Sequence, residues 1–134
     1  MIVVLDTSVL LGPSCDLSGV ECAISAISLA ELHFGVLVAR DQGTRAERLR
    51  RLALVEKAFD SLPVDDAVAR EYGRLAAAVV GAGRQPRSRV ADLLIAATAR
   101  ANSAELWTHN VDDFRGLEAL VTVREPGPEP SSRG

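Results

Sequence analysis

The chain opens on Met1-Ile2-Val3-Val4-Leu5, an apolar run rich in β-branched residues, and Asp6-Thr7-Ser8 ends it abruptly. A run this short reads as a strand buried on both faces, the habit of a parallel sheet with helices packed above and below. The polar step then marks the strand's carboxyl end, the edge at which open α/β sheets bind their ligands. Because it is first and wholly apolar, this strand is expected at the centre of the sheet, with Asp6 in the middle of that edge.

The remaining pattern alternates strand and helix. Further strands are expected over 20–24, 61–64, 105–108 and 120–123. A helical turn from Thr7 is broken by Gly12-Pro13, and a longer helix runs from Ser25 or Ser28 to about residue 40. Thr44, Asp65 and Ser88 are natural N-caps for helices over 44–59, 66–80 and 89–101, with a short helix over 111–120 behind Asn110. Strands separated by helices imply an α/β three-layer sandwich, with a central parallel sheet of about five strands covered by helices. The length of 134 residues suits one domain, and a chain of that size buries roughly two-thirds of its unfolded surface without help from disulfides. That domain is expected over 1–125, and Pro126-Gly-Pro-Glu-Pro-Ser-Ser-Arg-Gly134 reads as a disordered tail.

Composition excludes some classes and leaves others open. The formal net charge of −3 does not advertise nucleic-acid binding, although steering depends on local patches rather than the total. Cys15 and Cys22 form no CxxC pair and lack histidine partners, so they read as reduced thiols of a cytoplasmic protein. The apolar N-terminus has no basic flank and is interrupted by Asp6, unlike a signal peptide. No stretch approaches the roughly 18 apolar residues of a membrane span.

The chemistry lies in four acids, each tied to an apolar segment: Asp6, Glu31 in Ser28-Leu29-Ala30-Glu31-Leu32, Asp92 before Leu93-Leu94-Ile95, and Asp113 before Phe114. Taken singly, each has an ordinary explanation. Asp6 can cap the turn at Ser8, Asp92 sits where a helix dipole favours negative charge, and Ser28 to Glu31 has capping-box spacing. If that helix starts at Ser25, Glu31 lies too far inside for capping. Asp113 is preferred over Asp112 because it falls three residues after Asn110 and points back toward the strand end. Taken together, carboxylates about 5 Å apart would repel by about 3 kcal/mol per pair at an effective dielectric near 20. No basic residue within these motifs is placed to offset that repulsion, so a hard cation is expected, and oxygen-only ligands suit Mg²⁺ or Mn²⁺.

The segments Val4-Leu5-Asp6-Thr7-Ser8, Ser28-Leu29-Ala30-Glu31-Leu32, Asp92-Leu93-Leu94-Ile95-Ala96-Ala97-Thr98-Ala99 and Thr108-His109-Asn110-Val111-Asp112-Asp113-Phe114 resemble those of the PIN-domain ribonucleases. Length and helix pattern are similar to the VapC toxins of bacterial toxin–antitoxin pairs, over about residues 1–123. The resemblance implies a metal-dependent endoribonuclease that inhibits growth, with Asp6, Glu31, Asp92 and Asp113 as its catalytic acids. Asp6, Asp92 and Asp113 would hold the Mg²⁺ or Mn²⁺, and Glu31 would orient or deprotonate a water. Thr7, Ser8, Thr108 and Asn110 match positions that hold the carboxylates in place. The implied partners are an RNA substrate, a VapB-type antitoxin docked on the helices around 29–38 and 49–55, and a second copy in a homodimer. The rival reading is a non-catalytic PIN-like module that binds RNA or protein. Arg84, Arg87 and Arg89 lie just upstream of Asp92 and are candidate phosphate contacts, whereas Arg45, Arg48, Arg50 and Arg51 read as a solvated helix face. His109 is given no catalytic role.

Overall fold

The central strands carry the pattern of a sheet covered on both sides, with their later residues buried in succession. The computed structural model describes residues 1–131. Strands β1 (Ile2–Leu5), β2 (Glu21–Ser25), β3 (Asp60–Leu62), β4 (Glu105–Trp107) and β5 (Val123–Arg124) form one sheet in the order β3-β2-β1-β4-β5. All neighbouring strands are parallel, with Val4 opposite Ala23 on one side and Leu106 on the other. β1 is therefore central, as its uninterrupted apolar run implies.

Helices α1 (Thr7–Leu11), α2 (Ala26–Leu37) and α3 (Gln42–Ala58) cover one face, and α4 (Asp66–Gly81) and α5 (Val90–Ala101) the other. The strand period of two sorts β1 between them. Val3 and Leu5 join Val9, Ile24, Leu32, Leu52 and Val55 in one cluster, while Val4 joins Leu75, Ile95, Leu106 and Phe114 in the other. The strand order reverses direction between β1 and β4, so the crevice outside their carboxyl ends is where the fold leaves room for a ligand.

Several element ends differ from the sequence reading for local reasons. Asp41, not Thr44, caps α3, its Oδ1 accepting from the Thr44 backbone N–H at 2.8 Å. A 3₁₀ turn over Pro86–Arg89 precedes α5, which starts at Val90 with Arg89 at its N-cap. The Ser88 side chain, expected as that cap, lies outside the described residues. The helix expected over 111–120 is one 3₁₀ turn, Val111–Phe114, because Gly116 at φ +95° takes the chain into the left-handed region. The sequence from Pro126 onward reads as a disordered tail. Instead Pro126 is buried, Gly127 accepts a hydrogen bond from the Asp16 N–H at 2.9 Å, and Pro128 bridges Cys15. Residues 132–134, the end of that expected tail, lie outside the described residues. Among the described residues no helix is long and apolar enough to cross a membrane.

Candidate active site

Asp6 leaves β1 in an extended conformation, and its backbone N–H donates to the Trp107 carbonyl of β4 at 2.9 Å. The side chain is only 4% exposed. A carboxylate so placed is costly unless it is hydrogen-bonded, and two hydroxyls supply the bonds. Ser8 Oγ donates to Asp6 Oδ2 at 2.7 Å and Thr108 Oγ1 donates to the same oxygen at 2.8 Å. A hydroxyl has a single proton, so with both protons on Asp6 the 3.2 Å approach of Ser8 Oγ to Thr108 Oγ1 is a packing contact. Backbone N–H groups of His109 and Asn110 donate to Ser8 Oγ at 3.0 Å and Thr108 Oγ1 at 2.9 Å, turning each hydroxyl into a donor toward Asp6. The capping role open to Asp6 is not used, since its side chain bonds no backbone N–H of α1.

Glu31 is on α2, whose N-cap is Ser25, accepting from the Ile27 N–H at 3.1 Å. The capping-box explanation therefore fails, because Glu31 is already in the second turn. Its Oε1 accepts instead from Thr7 Oγ1 at 2.8 Å, and that hydroxyl is 2.9 Å from Ser28 Oγ. Since the Thr7 proton goes to Glu31, Ser28 is the donor to Thr7. The buried Ser28 is thus a supporting residue that sequence reasoning passed over, although its spacing of three from Glu31 put both on one helix face.

Asp92 sits in the first turn of α5 and Asp113 in the 3₁₀ turn after β4. Burial, then the charges of Asp6, Asp113 and Glu31 in that order, push the Asp92 carboxyl up to about 6 from an ordinary 3.8. The charges of Asp6, Asp113 and Glu31 all reach Asp92, although those acids come from the end of β1, the loop behind β4 and α2. Asp112 points elsewhere, pairing with Arg115 at 3.2 Å.

Arg89, which lies outside the four motifs and just upstream of Asp92, reaches the acids. Its Nη1 donates to the Asp113 carbonyl oxygen and lies 3.9 Å from Asp113 Oδ1, and its charge pulls the Asp92 carboxyl back down. Of the other arginines upstream of Asp92, Arg84 reaches the Arg115 carbonyl at 3.4 Å and Arg87 is exposed. The side chain of Asn110 does not cap the 3₁₀ turn; its contribution is the backbone N–H on Thr108. His109 packs its ring over Gly12 and brings Nδ1 to 3.5 Å from Glu125. Among the described residues no three Asp, Glu, His or Cys side chains form a ready-made metal cage.

Residues 3–119 match the family model described as PIN domain, and the chain belongs to that family. It is 38% identical over 126 residues to Ribonuclease VapC5 of Mycobacterium tuberculosis, covering 90% of each chain. Ribonuclease VapC8 of the same organism is 40% identical over 100 residues, 71% of this chain and 88% of that one. The fold matches the crystal structure of VapBC-5 from M. tuberculosis, a member of the VapBC family of toxin–antitoxin systems, with a TM-score of 0.80. That match has 36% identity and covers 92% of this chain and 97% of that chain.

Proposed function

We propose that the protein is an endoribonuclease that hydrolyses RNA phosphodiester bonds with the aid of Mg²⁺ or Mn²⁺. In this reading it is a cytoplasmic, growth-inhibiting toxin restrained by a small VapB-type antitoxin. The observation that carries the reading is the convergence of Asp6, Glu31 and Asp113 on Asp92, whose carboxyl they and burial hold near 6. At neutral pH a group with that value has mostly lost its proton, so the repulsion persists until a cation offsets it. A binding module gains nothing from such repulsion.

The donor set fits the ion. The four acids supply oxygen ligands only, and Mg²⁺ keeps several waters and takes one or two carboxylates plus substrate phosphate. Asp6, Asp92 and Asp113 are the assigned ligands, directly or through water. Bound there, the cation would acidify a water and brace the charge that develops on the phosphodiester. Ser8 and Thr108 hold Asp6 Oδ2 in one orientation. Glu31, with Oε1 fixed by Thr7, has Oε2 to orient the attacking water and take its proton. Arg89, beside Asp113, is the first choice among Arg84, Arg87 and Arg89 to grip a substrate phosphate. Attack by water on phosphorus leaves a 3′-hydroxyl and a 5′-phosphate.

The antitoxin surface follows from exposed apolar residues on the two helices beside the site. Phe34 and Leu37 on α2 are 65% and 75% exposed, and Leu49 and Leu54 on α3 are 53% and 62% exposed. A row of this kind on a soluble domain marks a docking face. The test combines purified protein, RNA and Mg²⁺ or Mn²⁺, with excess EDTA and Asp6→Ala as controls. Cleavage that stops in EDTA and in Asp6→Ala, with 5′-phosphate products, supports the reading. Cleavage that persists in EDTA or leaves cyclic phosphates refutes the metal mechanism, and RNA binding without cleavage favours the binding module.

A further inference from the structure

Arg45, Arg48 and Arg50 of α3 are exposed, as a solvated face requires, and Arg51 is half-buried, yet three of the four also bond the backbone of neighbouring helices. Arg45 Nη2 donates to the Ala39 carbonyl at 3.2 Å, Arg48 Nη1 to Gly35 at 2.7 Å and Arg51 Nη1 to Leu10 at 2.8 Å. Their spacing of three puts them along one side of the helix, and each satisfies a carbonyl at or just past the end of α2 or α1, where intrahelical partners run out. A groove of about 410 Å³ lies between α2 and α3, lined by Arg48, Arg51 and Thr44 on one side and Leu11 and Leu32 on the other, and it reaches Glu31.

We propose that this groove is a binding subsite for RNA next to the cleaved bond, with Arg48 and Arg51 contacting backbone phosphate and Leu11 and Leu32 receiving a base or sugar face. The inference rests on the ribonuclease reading above. A guanidinium has five N–H donors, and the carbonyl bonds use one of them while fixing the side chain. The remaining donors are therefore held in place before a phosphate arrives, so less side-chain entropy is lost on binding. Continuity with Glu31 carries the strand from this groove to the acids. Glu47 and Glu31 also line the groove and oppose a polyanion, which predicts that Glu47→Gln, away from the acids of the site, tightens RNA binding.

The test measures the affinity of Asp6→Asn protein, which should not cleave, for single-stranded polyuridylate across a salt series, with Arg48→Ala and Arg51→Ala added singly and together. Each phosphate contact on a single strand contributes about 0.7 to the slope of log K against log salt. Each single variant should lower the slope by about that amount, and the pair by about 1.4, with Kd rising about tenfold. Arg48→Lys keeps the charge without the forked cap and should restore the slope, which a purely structural role would not do. If Arg51→Ala fails to fold, the exposed Arg48 decides alone. An unchanged slope overturns the subsite, including the case in which the variants lose only antitoxin binding and the groove is a protein-docking surface. Failure of the parent reading is distinct, since wild-type protein would then cleave no RNA with Mg²⁺ or Mn²⁺.

Discussion

Replacing Asp92 by Asn should stabilise the metal-free protein at neutral pH, although it removes a residue assigned to the active site. In the folded chain the Asp92 carboxyl is raised from 3.8 to about 6, chiefly by burial and then by Asp6, Asp113 and Glu31. Below pH 3.8 the group is protonated in both the folded and unfolded states, and nothing is lost. Between 3.8 and 6 the unfolded chain releases its proton first, so folding becomes progressively less favourable, and above 6 the full cost applies. At about 1.4 kcal/mol per pH unit that cost approaches about 3 kcal/mol. Asp92 is only half-buried, and screening by solvent reduces the figure to about 1.5 kcal/mol. Asn also forfeits the favourable interaction of a carboxylate with the start of α5, about 0.5 kcal/mol. The net gain is then about 1 kcal/mol, a rise in melting temperature of about 4 °C for a domain of this size. Thermal melts of wild type and Asp92→Asn in EDTA, at pH 7.5 and pH 4.5, measure it. The gain should be full at pH 7.5 and clearly smaller at pH 4.5, near the lower end of the window between 3.8 and 6, while Mg²⁺ or Mn²⁺ should stabilise wild type more than the variant. An Asp92→Asn protein that melts lower at pH 7.5, or a gap that does not depend on pH, would refute the convergence of acids on Asp92.

Other perturbations address the supports of the site and the core. Thr108→Val removes a donor from the buried Asp6 Oδ2, so chemical denaturation should show a loss of about 1–3 kcal/mol, and cleavage should slow even where the protein remains folded. Gly12→Ala places a Cβ 2.8 Å from the Ser8 carbonyl oxygen and 3.0 Å from His109 Cδ2; a melting temperature equal to wild type would contradict the expected cost of about 1–3 kcal/mol. Leu75→Ala, at a fully buried position between α4 and the sheet, should cost about 2–5 kcal/mol in urea unfolding.

Much of the architecture follows from short-range pattern. The apolar run of β1 requires burial on both faces, and the strand and helix periods that follow produce the three layers and place Asp6 at the sheet's carboxyl edge. The same local signals miss by a few residues wherever a single side chain or glycine decides, as at Asp41, Arg89 and Gly116. The acids of the site were visible as residue types and their pooling could be expected, but the supports of each carboxylate were not, because they depend on distances between segments far apart in the chain. Only the packed structure decides that Thr7 serves Glu31 while Ser8 serves Asp6, and that Arg89 rather than Arg84 or Arg87 lies beside Asp113. Side-chain period is a property of neighbours in sequence, whereas charge and hydrogen-bond partners belong to neighbours in space, and the parallel crossovers bring those together only when the sheet has formed.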